Sequence, residues 1–381
     1  MLRRSIASVA SGSLDNVPAS VRAKIGKNLH QTAGSPIHLL CQQVCNFFAD
    51  RSFSVYDSLP PTVTVRDNFD SLGIPLDHVS RSADDTFYLE PRDAPRAVLE
   101  APNTKLLRCH TSAHQTSLLR QEGLHSKFLV AGDVYRRDTI DSSHYPVFHQ
   151  MEGVWLAPAG TTDEAALASL KVTLRDLVVH LLGDEADIRF VDASFPFTNP
   201  SLEVEVWWRG EWLELLGSGV IAPHILSAAG LPDTTKGWAF GLGLERLAMA
   251  MYSIPDIRLF WSDDERFTSQ FARASPGDRI TFSPFSRMPP VFKDVSFWLP
   301  QGGSSTVHPH DVYATVRETA GDLVEAVTHL DTFTHPKTGK VSHAYRICYR
   351  SMSRTLTNAE VNERQAELRD RLVADLGVEL R

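Results

Sequence analysis

The sequence predicts an α+β protein in which antiparallel strand pairs alternate with amphipathic helices, followed by a small βαββαβ domain. Three observations predict it. Residues 131–155 hold two strand-like runs around a polar, turn-prone loop, and residues 201–216 repeat the pattern, so both read as hairpins. Apolar residues recur at helical spacing between and around them. Residues 291–381 run strand, helix, strand, strand, helix, strand.

Bulk properties fit that class. The chain has 381 residues, room for two or three domains. With 43% hydrophobic and 22% charged residues, it has an ordinary globular composition. A formal net charge of −8 excludes a global basic field, so any nucleic-acid contact needs a local patch. Cys41, Cys45, Cys109 and Cys348 form neither a CxxC pair nor a zinc spacing, and read as thiols in a reducing compartment. No apolar run is long enough for a membrane span, so no membrane partner is expected. The opening MLRRSIASVASGSL is basic, serine-rich and free of acids, which marks residues 1–17 as an organelle transit peptide.

Taken in order, residues 21–50 read as helix around a break. Val21, Ile25 and Leu29 are spaced by four, and Pro36 opens a second helix with an apolar stripe of Leu39, Leu40, Val44, Phe47 and Phe48. Cys41 and Cys45 sit on that helix as core filling. Residues 53–104 are rich in Pro, Asp and Ser, and read as short strands and loops. A strand ends at Arg108, and 112–121 is a helix capped by Thr111 or Ser112. His110, Ser112, His114 and Gln115 therefore meet at a strand-to-helix junction, where free N–H groups converge.

The hairpin at 131–155 carries Arg136 and Arg137 at the end of its first run. On its second run Phe148, Gln150, Glu152 and Val154 share one face, because side chains alternate along a strand. A cation, a flat ring, an amide and a carboxylate on one sheet face suit a zwitterion beside a phosphate. Thr161 or Thr162 caps the next helix, with Glu164 placed for a capping box, and Gly183 stops it. Strand 187–192 leads into Phe195-Pro196-Phe197. The 201–216 hairpin turns at Arg209-Gly210 and ends in Gly217-Ser218-Gly219, where the backbone can approach a ligand. Residues 237–252 read as strand, glycine, helix. Leu244, Leu247, Ala248 and Met251 face one way and Glu245 and Arg246 others. A glycine entry to a helix suits an anion, but the dinucleotide and phosphate-loop fingerprints are absent.

A Pro/Gly-rich connector spans 272–290. The βαββαβ order of 291–381 is ferredoxin-like. No acid occurs between Asp331 and Glu360, while Lys337, Lys340, Arg346, Arg350 and Arg354 do. On strand 341–350, Arg346, Cys348 and Arg350 share one face, and His343, Tyr345, Ile347 and Tyr349 the other. A basic face near aromatics suits single-stranded RNA in a loop.

These pieces together resemble the phenylalanyl-tRNA synthetase family, most closely its single-chain organellar (mitochondrial) form. Arg136-Arg137-Asp138 is similar to the second motif of class II aminoacyl-tRNA synthetases, and GLGLER to the third. HTSAHQ, HQMEG and FPFTNPSLEVE are similar to phenylalanine-specific signatures, and FTHPKTGKVSHAYRICYR extends the likeness through the C-terminal domain. The helix at 36–48 matches the first motif poorly.

The resemblance implies a class II antiparallel sheet flanked by helices over 18–271 and an anticodon-binding domain over 291–381. It implies activation of phenylalanine by ATP, then transfer to the terminal 2′-hydroxyl of tRNA(Phe). Arg136 would bridge the amino-acid carboxylate and the α-phosphate. Arg246 would hold the outgoing phosphates and cover one face of adenine, with Phe148 on the other. His144 would assist at the β- and γ-phosphates, and Asp138 would accept from the adenine amino group. Gln150 and Glu152 would bind the substrate ammonium, with His110 and Ser112 nearby. Phe195 and Phe197 would wall the side-chain pocket, and Ala239 would leave room at its floor. Lys337, Lys340, Arg346, Arg350 and Arg354 would meet tRNA. Mg2+ should accompany ATP, with no ligands assigned. A chain carrying its own anticodon domain is expected to be a monomer. The mitochondrial matrix is the expected home, with plastid or dual targeting as alternatives ranked above the cytoplasm. A non-catalytic relative or a synthetase for another amino acid are the competing readings.

Overall fold

The computed structural model describes residues 15–91, 94–208, 210–284, 288–300 and 307–381. Most of the expected transit peptide, Arg209 of the expected turn and part of the connector lie outside these residues. The expected boundary at residue 17 falls inside the folded body. The Asn16 amide donates to the carbonyls of Ala83 (3.0 Å) and Thr86 (2.8 Å) and accepts from Tyr88 N, and Val17 is buried in the core.

The strands are β1 Ser54–Tyr56, β2 Thr62–Thr64, β3 Lys105–Leu107, β4 Lys127–Tyr135, β5 Val147–Leu156, β6 Ile188–Phe195, β7 Thr198–Trp208, β8 Glu211–Ile221 and β9 Gly237–Gly243. Seven of them form one sheet in the order β1-β4-β5-β9-β8-β7-β6. Among the described residues only β1 and β4 pair parallel in this sheet; the other pairings are antiparallel. Strands β2 and β3 form a separate pair.

Helices α1 Pro36–Ala49, α2 Gln115–Glu122, α3 Asp163–Leu182 and α4 Leu244–Tyr252 surround the large sheet. Alternation along β4, β5 and β9 gives the sheet two apolar faces. One takes Leu40 and Phe48 of α1, Leu170 and Leu174 of α3, and Leu244 and Leu247 of α4. The other takes Leu118 and Leu119 of α2 with Phe69, Val130, Val154 and Ile225. Full burial of such side chains contributes about 1.5–3 kcal/mol each.

Three local expectations change. Val21, Ile25 and Leu29 do not lie on one helix: only Ala19–Arg22 and a 3-10 turn at Leu29–Gln31 form. Gly26 (φ 79°) and Asn28 (φ 48°) turn the chain between them. The 112–121 helix starts as a 3-10 turn, Thr111–His114, with no side-chain cap, because Thr111 N donates to Gln150 while Ser112 lines the cavity described below. Thr162 is the cap of α3 and accepts from Ala165 N, which leaves Glu164 a residue short of the capping-box position.

The C-terminal domain contains β10 Val291–Trp298, α5 Pro309–Ala320, β11 Val324–Thr334, β12 Val341–Tyr349, α6 Asn358–Leu376 and β13 Glu379–Leu380. Its sheet order is β11-β12-β10-β13, with both helices packed on one face. Tyr345, Ile347 and Tyr349 belong to that buried core, so they are not aromatics offered to RNA. The acid-free window of the sequence is also filled in space. Arg346 donates to both Asp294 oxygens (2.8 Å each), Arg350 lies 3.2 Å from Glu325, Lys340 lies 2.9 Å from Glu379, and Arg354 pairs with Glu360. Among the described residues, Lys337 alone of the five has no ion pair.

This domain docks on the loop between β4 and β5. Ile140 of the loop is buried in the C-terminal core, and its carbonyl accepts from Val327 N (3.0 Å). Arg137 reaches Asp311 (2.7 Å), and Tyr145 OH donates to Asp322 (2.7 Å).

Candidate active site

The hairpin β4–β5 sets the site through its register. Gly132 faces Gln150 on one side, and on the other Gln150 and Glu152 face Gly243 and Gly241 of β9. A Cβ at Gly241 would stand 2.7 Å from Gln150 Nε2, so only glycine lets that amide lie flat across the strand. A Cβ at Gly217 would stand 2.9 Å from the Phe195 ring, so the glycine there makes room for the pocket wall.

Over this face lies a cavity of about 630 Å³. It brings together His110, Ser112, Arg136, Asp138, Gln150, Glu152, Phe195, Phe197 and Ala239. At one end the Phe195 and Phe197 rings stack, 5.8 Å apart and inclined by 6°. Ala239 is buried on β9, opposite Gly219 of β8 and Val154 of β5.

The middle of the cavity is polar and unsatisfied. Glu152 is 2% exposed, and neither of its carboxylate oxygens makes a full hydrogen bond. Burial pushes it up to about 8, which the Ser112 hydroxyl offsets only in part. Both ring nitrogens of His110 are shut from solvent without a partner. Burial, then the Arg136 charge, holds His110 down to about 3, so it is neutral. Gln115 Oε1 and Thr111 Oγ1 are orphaned beside them. Buried polar atoms without partners are rare in folded proteins, and a cluster of them around one cavity calls for a ligand.

Arg136 closes the other side. Its Nε donates to the Cys109 carbonyl (2.8 Å), and its guanidinium carbon lies 5.3 Å from the Phe148 ring centroid. Three sequence candidates stand outside the cavity lining. Phe148 flanks it through Arg136. Arg246 is exposed and lies 3.6 Å from Glu214, which does line it. His144 sits on the loop with its Nδ1 2.7 Å from Asp141.

The sequence motifs assign no role to Gln115, Glu214, Asp85 or His310, all of which line the cavity. The signal for Gln115 is the junction it shares with His110. His310 has no such signal, because α5 reaches the cavity only through domain docking. Glu245 is a different omission. The helical pattern places it off the apolar stripe of α4, yet it is 2% exposed and bonded to His149.

Residues 19–271 match the family described as "tRNA synthetases class II core domain (F)", and residues 286–381 match "Ferredoxin-fold anticodon binding domain". The chain is 46% identical over 377 residues to "Phenylalanine--tRNA ligase, chloroplastic/mitochondrial" of Arabidopsis thaliana, covering 96% of this chain and 83% of that relative. The chain belongs to the phenylalanine–tRNA ligase family. The mitochondrial family member of Mus musculus is 46% identical over 402 residues, covering 96% of this chain and 85% of its own length. The mitochondrial member of Saccharomyces cerevisiae is 38% identical over 445 residues, covering 96% and 92%. The family resemblance and the fold read from the sequence are both borne out: a class II core sheet with helices, then a ferredoxin-fold anticodon-binding domain.

Proposed function

We propose that the chain joins phenylalanine to tRNA(Phe) in two ATP-dependent steps, and that the 630 Å³ cavity is where the adenylate forms. One observation carries the reading of the cavity: Glu152 is a buried, unpartnered carboxylate at the sheet position between an apolar aromatic pocket and a fixed arginine. A zwitterion with an aromatic side chain completes all three. Its ammonium satisfies Glu152 and Gln150, its ring enters between Phe195, Phe197 and Ala239, and its carboxylate points to Arg136.

In the first step a carboxylate oxygen attacks the α-phosphorus of ATP and pyrophosphate leaves. Arg136 neutralises the charge that gathers on the α-phosphate, and its bond to the Cys109 carbonyl orients it beforehand. Phe148 and Arg246 hold the adenine, Asp138 accepts from its amino group, and His144 lies on the loop toward the outer phosphates. In the second step the tRNA 2′-hydroxyl attacks the acyl carbon and AMP leaves. Positioning and electrostatics carry both steps, and no general base is assigned.

Class II synthetases use a divalent ion with ATP, and Mg2+ would accompany ATP here; among the described residues no group of three or more His, Cys, Asp or Glu side chains gathers as a metal site, so no ligands are assigned to it.

The C-terminal domain binds the anticodon region of the tRNA, with Lys337 the residue best placed to meet phosphate because it is not already paired. A monomer is supported by α1, whose apolar residues are spent on the chain's own core: Ile37, Leu40, Val44 and Phe48 are each 0% exposed. The organellar names of the relatives, with the basic, acid-poor start of the chain, support work in the mitochondrion. Pyrophosphate exchange tests the proposal. Exchange should depend on phenylalanine and be far weaker with tyrosine or leucine; equal exchange with either would overturn the assignment of the pocket.

A further inference from the structure

Strand β9 ends where a hydrogen-bond ladder would still be needed. Its register with β5 puts Gln150 opposite Gly243, so the next position, opposite His149, is Leu244. Leu244 begins α4, and the helix turns away from the sheet. The His149 N–H is buried there and must find another acceptor. Glu245 supplies it: Oε2 accepts from His149 N at 2.7 Å, and Oε1 lies 2.6 Å from His149 Nδ1. His149 is 0% exposed and Glu245 is 2% exposed, so both bonds are shielded from water.

The neighbours of these two residues are the ones that matter chemically. His149 precedes Gln150 and follows Phe148 on the site strand. Glu245 precedes Arg246 on the first turn of α4. The ring of His149 also rests on Trp261 (5.8 Å, 26°), which stacks on Tyr145 (5.9 Å, 19°) of the docked loop. The pair is therefore fixed on the side away from the cavity, and it joins the strand bearing Phe148 to the helix bearing Arg246.

We propose that Glu245 and His149 form a positioning pair that sets the separation of Phe148 and Arg246, and through it the affinity for ATP. The proposal rests on reading the cavity as the adenylate site. Neither residue lines the cavity. The pair acts on the adenine half of the site: Phe195 and Phe197 are carried by the β6–β7 end of the sheet, while Gln150 and Glu152, on the same strand as His149, are held by their own pairing with Gly132 and Val130 of β4 and with Gly243 and Gly241 of β9.

The test is pyrophosphate exchange with the full chain carrying His149→Phe, Glu245→Gln or Glu245→Ala, each with a thermal melt. His149→Phe keeps the stack on Trp261 and loses the ring nitrogen. Glu245→Gln keeps an acceptor for the His149 N–H and loses the charge. The KM for ATP should rise about tenfold or more in His149→Phe and Glu245→Ala and by less in Glu245→Gln, while the KM for phenylalanine stays within about twofold. If Glu245→Ala does not fold, the other two variants carry the test. A parallel rise of both KM values, or a lowered melting temperature with both unchanged, would overturn the pair's role. Absence of exchange in the wild-type chain would instead overturn the reading of the cavity. Calorimetric binding of a non-hydrolysable ATP analogue to wild type and His149→Phe would then test the pair by itself, with equal affinities counting against it.

Discussion

The Arg136 guanidinium carbon lies 5.3 Å from the centre of the Phe148 ring, and the same side chain is tied by Nε to the Cys109 carbonyl. Arg136 is thus aimed in advance of substrate, with its terminal N–H groups left for an anion. A lysine at this position has one point charge and cannot keep the carbonyl bond while offering paired donors. Arg136→Lys should therefore lower pyrophosphate exchange by at least about 10²-fold, with an unchanged melting temperature. Retained exchange would mean that charge alone suffices at this position.

Glu152 gives the site a pH signature. Its folded-state carboxyl titrates at about 8 against a reference of 4.5, with burial as the main cause. Between those values the folded chain holds a proton that the unfolded chain has lost, so the Glu152 contribution to stability should fall as pH rises through that window, opposed below about pH 6.5 by the buried neutral His110. On the proposed placement, phenylalanine would reverse the shift, because its ammonium would favour the carboxylate. Binding at pH 7 should therefore release a proton, seen as a heat that varies with the ionisation enthalpy of the buffer. Glu152→Gln should bind weakly, release no proton and flatten the stability slope. A buffer-independent heat in the wild type would count against the buried carboxyl as the ammonium site.

The five basic residues of the acid-free C-terminal window should not behave alike. Arg346 already donates two bonds to Asp294, whereas Lys337 has no ion pair among the described residues. Lys337→Ala should weaken tRNA binding and reduce the salt slope by about 1, the loss of one phosphate contact. Arg346→Ala should leave the slope nearly unchanged. Filter binding over a salt series distinguishes the two, and equal slope losses would show that the Asp294 pair opens on binding.

That contrast marks the limit of what the sequence conveys. The alternation along 147–156 is dictated by the pleat, so the face carrying Phe148, Gln150 and Glu152 is legible from residue order alone. The motifs at 110–115, 136–138 and 195–197 converge on one cavity for the same reason: strand ends and glycine-lined registers leave few places for them. Neutralisation of Arg346 is not legible, because Asp294 lies 52 residues away and only the β10–β12 register brings it opposite. Glu245 is hidden differently. A helical wheel shows that it leaves the apolar stripe of α4, but not that a strand backbone waits there with an unpaired N–H. The false helix over Val21–Leu29 has correct spacing, and the left-handed turn at Gly26 and Asn28 breaks it.

Arg258 ties the two domains and should be costly to remove. Its Nε and Nη2 donate to Asp256 at 2.9 and 2.7 Å, and its Nη1 donates to the carbonyls of Asp322 (2.9 Å) and Arg350 (3.1 Å). Both side chains of the pair are under 5% exposed. Arg258→Met fits the space but leaves a buried carboxylate unpaired and two carbonyls without this donor. Breaking a buried pair in this way costs about 3–5 kcal/mol. The urea transition followed by tryptophan fluorescence should move to lower concentration. Adding Asp256→Asn removes the stranded charge, so the double variant should recover part of the loss. If the double variant is no more stable than Arg258→Met, the cost lies in the lost bonds to the C-terminal carbonyls rather than in the buried charge.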